Sequence, residues 1–182
     1  MILSPADASL YYKLLFRLQY YLLIKTKKNT TVNSINKYIE LPKNTKLKIR
    51  DELWANNIWI DEYVELNPNY FLQEELEIVR KWKNRIKDKF FIERILKKYG
   101  VFISSESKVF GVIGLTEEID EVIGRNHIPA YVETVLLPFK DKIIYDGLLL
   151  RYPMSFGRGL REMFRETYNY AKENNQIIIS TK

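Results

Sequence analysis

The spacing of apolar residues changes near residue 90, and that switch sets the fold class. Before it, apolar residues recur every three or four positions: Leu10, Leu14, Leu18 and Tyr21 in one stretch, Leu72, Leu76, Val79 and Ile86 in another. That is the period of a helix with one buried face. After it they come in short aromatic and β-branched runs at 90–96, 99–104 and 108–115, set apart by turn residues. Such runs read as strands. The chain is therefore expected to be α+β, a helical N-terminal region followed by a mostly antiparallel β-sheet region with two helices. The expected division is 1–88, basic and helical, and 89–182, strand-rich. No flexible linker separates the two, so they are expected to pack as one body.

Local signals refine this outline. Ser4-Pro5-Ala6-Asp7 suits a helix start, with Ser4 as cap and Pro5 at the first helical position. That helix is expected to reach about Ile24, with a polar break over Lys25, Thr26, Lys27, Lys28 and Asn29. Helices follow at 32–39 and 45–56, separated by a turn at Pro42, which disfavours helix at the residue before it. Segment 58–66 fits a strand or a helix, and Asn67-Pro68-Asn69 is a stop. A helix over 73–87 has Glu74, Glu75 and Glu77 at its start and Arg80, Lys81, Lys83, Arg85 and Lys87 at its end. That order complements the helix macrodipole. Further on, Ser105-Glu106-Ser107 suits a hairpin loop, and Thr116 is read as the cap of a short acidic helix ended by Gly124. Strands over 131–139 and 142–150 form the clearest pair, apolar enough for burial on both faces. A last helix spans 158–172, lined by Leu160, Met163, Phe164, Tyr168 and Ala171, and Ile177-Ile178-Ile179 could add a final strand.

Composition removes several kinds of chemistry. There is no cysteine, which excludes disulfides and thiolate sites, and a single histidine, His127, which excludes a multi-imidazole zinc site in one chain. No run of about 18 apolar residues is present, so no membrane partner is expected. No basic segment precedes the apolar stretch at 10–24, and by elimination the protein is expected to be cytoplasmic. No cofactor fingerprint or metal-ligand motif occurs. Net charge is +6, unevenly placed: residues 1–99 hold 19 Lys and Arg against 12 Asp and Glu, residues 100–182 hold 10 against 11. A basic front half raises the expectation of an anionic partner.

Certain strings carry a resemblance. Val109-Phe110-Gly111-Val112-Ile113-Gly114-Leu115, Val132-Glu133-Thr134-Val135-Leu136-Leu137-Pro138-Phe139 and Ile143-Ile144-Tyr145-Asp146-Gly147-Leu148-Leu149 are specific, as is Ser155-Phe156-Gly157 before a basic helix. Together with Asn67-Pro68 and the following Glu74–Val79 segment, they resemble an uncharacterised family of prokaryotic conserved hypothetical proteins over most of 60–175. The resemblance implies no activity and transfers no catalytic residue. Arg158 stands where that family often has glycine, which weakens a phosphate-cradle reading of the Gly157–Gly159 loop.

Four constellations bear on function. Arg80, Lys81, Lys83, Arg85, Lys87 and Lys89 put six cations within ten residues around Trp82, suited to phosphate contacts and stacking. Lys46, Lys48 and Arg50 could add a second patch, as the recognition helix of a helix-turn-helix with a wing at 58–66. The bland alternative is a solvated helix end and an unrelated bundle. Gly157, Arg158, Gly159 and Arg161 open a helix whose amides could bind an anion. There the competing reading is a salt-bridged face, with Arg158, Arg161, Arg165 and Lys172 beside Glu162, Glu166 and Glu173. Glu133, Asp141 and Asp146 could hold Mg²⁺ for phosphodiester hydrolysis, but the lysine such sites want after the second acid is missing. Glu133 is the oddest charge in the chain, and Arg151 is a candidate partner. The leading expectation is a nucleic-acid-binding accessory protein with a basic N-terminal surface. The alternatives are a homo-oligomeric interaction module, suggested by the aromatic content, and a metal-dependent phosphoesterase.

Overall fold

The computed structural model describes residues 1–26 and 31–180. It is α+β, and it divides into two compact units: Ala6–Lys83, all helical, and Asn84–Lys182 together with Met1–Pro5, built on strands.

In the helical unit, α1 (Pro5–Thr26) is followed by α2 (Ile35–Ile39), α3 (Lys43–Ala55), α4 (Ile58–Leu66) and α5 (Gln73–Lys81). Pro5 occupies the first helical position, where its missing N–H costs nothing. Of the expected polar break, Lys25 and Thr26 belong to α1, and 27–29 lie outside the described residues. The α1 stripe Tyr11, Leu14, Leu18 and Leu22 is fully buried. Aromatic rings knit the unit: Trp82 meets Tyr11 at 5.9 Å and Trp54 at 6.3 Å, and Tyr63 of α4 meets Tyr21 edge-on at 5.2 Å. The Tyr38 hydroxyl donates to the buried Gln19 at 2.6 Å, and burial pushes the Tyr38 and Tyr63 phenols up. Segment 58–66 is helical, because that spacing buries Ile60 and Tyr63 together. The wing of the winged-helix reading is thereby removed.

The helix expected over 73–87 ends at Lys81. A 3-10 turn at Trp82–Asn84 leads into strand β1 (Ile86–Ile95). From Ile86 the chain alternates, with Lys87 and Lys89 exposed between better-covered neighbours. Pairing of that stretch with a distant strand outweighs the favourable charge order of a longer helix.

The strands are β1, β2 (Gly100–Ile103), β3 (Val109–Ile113), β4 (Ala130–Phe139), β5 (Lys142–Tyr145) and β6 (Leu150–Tyr152). The expected strand over 142–150 is cut at Asp146-Gly147, where Gly147 takes φ +91°, and the chain resumes as β6. The first five strands close on themselves. The C-terminal part of β1 pairs with β2, while its N-terminal part pairs with β4, from Ile86↔Leu136 to Ile92↔Ala130. The ring runs β1-β2-β3-β5-β4 and back to β1, antiparallel everywhere except the short β3–β5 contact. A register shift between Ile92 and Arg94 lets β1 bend to serve both neighbours. β6 lies along β4 on the edge opposite β1, outside the ring.

Inside the ring Phe90 packs against Phe102 and Phe110, each at 6.0 Å. Helix α6 (Ile119–Ile123) links β3 to β4, and Ile119 closes on Gly100. Glu118, not Thr116, is the N-cap of α6, its amide donating to Glu121 at 3.3 Å, and Gly124 ends the helix at φ +90°. The edge of β3 that β2 leaves open is filled by Ile178, through bonds of 2.9 Å to Val109 and Gly111. Ile2 pairs with Gly114 just beyond, which ties the first residues to this unit.

The outer face of β2–β3 is covered by α7 (Arg158–Glu173). Val101, Ile103, Val109 and Phe91 form one core with Phe156, Tyr168 and Ala171. Gly111 is required by close approach, since a Cβ there would stand 2.9 Å from the Tyr99 ring and 3.0 Å from Ile179. Gly111→Ala is expected to cost about 1–3 kcal/mol, the range for forcing a methyl into a packed site. A thermal melt that matches the native protein would contradict that packing.

Candidate nucleic-acid interface

The cations singled out in the sequence fall in both units. In the helical unit most of them are occupied. Arg50 is buried and bonds Asp51 at 2.9 Å. Lys46 donates to the Ile39 carbonyl at 2.9 Å, Arg80 pairs with Glu77, and Lys83 reaches Asp61 at 2.6 Å. Lys48 and Lys81 are exposed. Arg85 and Lys87 belong to the strand-built unit, where burial lowers the pKa of Arg85. The charge balance shifts with the boundary. Ala6–Lys83 carries 13 Lys and Arg against 10 Asp and Glu, a balance of +3. The remainder of the front-half excess sits on β1 and the turn after it, with Lys87, Lys89, Lys97 and Lys98 exposed.

The outer face of β1, β4 and β6 gathers groups that are far apart in sequence. Register sets Lys89 opposite Glu133 and Phe91 opposite Tyr131, and sets Tyr131 opposite Tyr152. Alternation along each strand therefore puts Lys87, Lys89, Phe91, Tyr131, Glu133 and Tyr152 on one side. The Tyr152 hydroxyl donates to Glu133 at 2.7 Å, which raises the Tyr152 pKa. Lys89 lies 5.0 Å from the centre of the Tyr152 ring, and the Tyr131 and Tyr152 rings are 5.8 Å apart. Glu133 is thus a clamp on a half-exposed ring. Arg151, its expected partner, pairs in register with Val132 and points to the other side.

Phe91 joins this surface to α7. It stacks on Phe164 at 3.8 Å and meets Phe156 edge-on at 4.9 Å. Beside Phe156, Arg158, Arg161, Glu162 and Arg165 line an open depression of about 510 Å³. Arg158 pairs with Glu162 at 2.8 Å. Among the described residues, Lys87, Arg161 and Arg165 are exposed and make no ion pair. Gly157 caps α7 in ordinary extended geometry, and a Cβ on Gly157 or Gly159 would touch nothing within 4 Å. These glycines shape no close cradle, so the cationic character of the site comes from side chains.

The acidic constellation is dispersed. Glu133 holds Tyr152, Asp141 bonds its neighbour Lys142 at 2.6 Å, and Asp146 is buried with its amide on the Val135 carbonyl. Among the described residues no group of three metal-ligating side chains converges, and no helix is long and apolar enough to cross a membrane. Sequence reasoning missed Tyr131 and Tyr152 as members of the surface. The usable signal was an aromatic residue flanking Glu133 and another just beyond the Gly147 turn, but only the register brings them together. No protein-family model, curated protein or solved structure matches the chain.

Proposed function

We propose that the strand-built unit binds single-stranded nucleic acid across the outer face of β1, β4 and β6 and the start of α7. The observation that carries this reading is the placement of Lys87 and Lys89 on one strand face with the half-exposed Tyr131 and Tyr152 rings, with Lys89 5.0 Å from the centre of the Tyr152 ring. Cations beside half-exposed rings serve a strand that offers both phosphates and unstacked bases. Arg161 and Arg165 extend the cationic edge.

The architecture agrees. A five-stranded barrel in the order β1-β2-β3-β5-β4 with one parallel pair is also the plan of OB-type barrels, which take oligonucleotides on the face of their second and third strands. Here that face is aliphatic and lies under α7, so the strand is assigned to the neighbouring face. A duplex fits less well. The basic flank of α7 runs beside Glu162 and Glu166, which would meet the phosphates of a second strand.

The test is fluorescence anisotropy with a labelled mixed-sequence single strand of about 20 nucleotides and its duplex. The expected result is tighter binding of the single strand, weakening steeply between about 50 and 200 mM salt. Equal retention of the duplex, or no retention at the lower salt, overturns the reading.

A further inference from the structure

The loop between α4 and α5, in the helical unit, holds an aromatic ring in a position that packing does not explain. Tyr70 is 92% exposed, and its backbone is left-handed at φ +52°. L-residues with a Cβ avoid that region, and the residues that tolerate it are glycine and asparagine. The surrounding turn is firmly built. Asn67 is also left-handed, its side chain accepts from the Phe71 amide at 2.8 Å and donates to the Phe71 carbonyl at 3.0 Å. The Tyr70 amide donates to the Asn67 carbonyl at 3.0 Å, and Tyr63 donates to Asn69 at 2.7 Å. A fixed turn therefore thrusts a strained, solvent-facing phenol outward. Such strain persists where the surroundings over-determine it and clusters at ligand contacts.

Beside Tyr70 an open cavity of about 570 Å³ is lined by Lys13, Arg17, Asn69, Phe71 and Glu75. Lys13 is committed, bonding Glu75 at 2.6 Å and lying over the Phe71 ring at 4.9 Å. Arg17 is half-exposed, and its guanidinium acts on the Tyr63 phenol through its charge. A protruding ring, a guanidinium and a side-chain amide around one cavity match the parts of a nucleotide: base, phosphate and base edge. An apolar peptide side chain would leave both the guanidinium and the amide unmatched.

We propose that this loop is a second nucleic-acid contact, in which Tyr70 stacks on an unpaired base and Arg17 takes a neighbouring phosphate. The inference rests on the single-strand reading but uses none of the residues of the strand-built surface. Tyr70→Asn removes the ring while keeping a residue that accepts the left-handed backbone. It is expected to weaken binding of a mixed 20-nucleotide single strand about tenfold, the scale of one lost stacking contact. The melting temperature should not fall. Arg17→Ala should flatten the slope of log affinity against log salt by about 0.7, the share of one phosphate contact on a single strand. Photocrosslinking with 5-iodouracil oligonucleotides, read by mass spectrometry, supplies the location. An adduct on Tyr70 supports the proposal. Adducts on Tyr152 or Tyr131 with none on Tyr70, together with unchanged affinity in Tyr70→Asn, overturn it and leave the strand-built surface standing. Failure of the native protein to bind any oligonucleotide overturns both.

Discussion

Phe91→Ala is expected to destabilise the strand-built unit by about 3–5 kcal/mol, the range for truncating a fully buried aromatic residue. Phe91 is 1% exposed and joins three elements. Its ring stacks on Phe164, abuts Phe156, and stands opposite Tyr131 in the β1–β4 ladder. Removing it leaves a cavity under α7 and takes away two aromatic pairs, each worth about 0.5–1.5 kcal/mol beyond burial. The N-terminal half of α7 is already exposed, so the helix depends on Phe164, Tyr168 and Ala171 for its hold on the sheet. Denaturant unfolding checks the loss, and limited proteolysis should cut the segment before α7 faster in the variant. A loss under about 1 kcal/mol would mean that α7 is held in some other way.

The second large effect is on binding. Replacing Lys87, Lys89, Arg161 and Arg165 together by alanine is expected to weaken single-strand binding roughly a hundredfold or more at 50 mM salt, because each cation that meets a phosphate releases counterions. All four side chains are exposed, and none belongs to an ion pair among the described residues. The variant should therefore fold normally, with an unchanged near-ultraviolet circular dichroism spectrum. Alanine at Lys46, Arg80 and Lys83 should do far less to binding, since those cations already serve the Ile39 carbonyl, Glu77 and Asp61.

Local rules carried much of the fold. Leu14 and Leu18 of the α1 stripe, the Asn67-Pro68 stop, the helix end at Gly124 and the near-continuous apolar run of β4 are properties of short windows, and each could be read directly from residue type. Closure of the barrel is different. It depends on β1 pairing with β2 across a short turn and with β4 some forty positions later, and no window contains both partners. The same limit explains the misplaced end of α5. Arg85, Lys87 and Lys89 fit the basic end of a helix as well as the exposed side of a strand, and only β4 decides between them.

The candidate surface was half legible for the same reason. Charge drew attention to Lys87 and to Arg158 and Arg161, but composition credited the front half with cations that belong to β1. Tyr131 and Tyr152 gave no signal by themselves, because their value lies in standing next to Lys89 across two strand registers. Glu133 looked anomalous as a carboxylate in an apolar run. Its role as a hydrogen-bond acceptor for Tyr152 answers that anomaly without a metal or an arginine. Tyr70 was hidden by its own residue type, since a left-handed turn position is read from glycine or asparagine and not from tyrosine.

The most direct measurement is the slope of log affinity against log salt for a mixed single strand, taken side by side on the native protein and on the four-alanine variant. Four lost phosphate contacts at about 0.7 each for a single strand should flatten the slope by roughly 3. Two parallel lines would mean that these cations never touch the nucleic acid, and would contradict the assignment of this face.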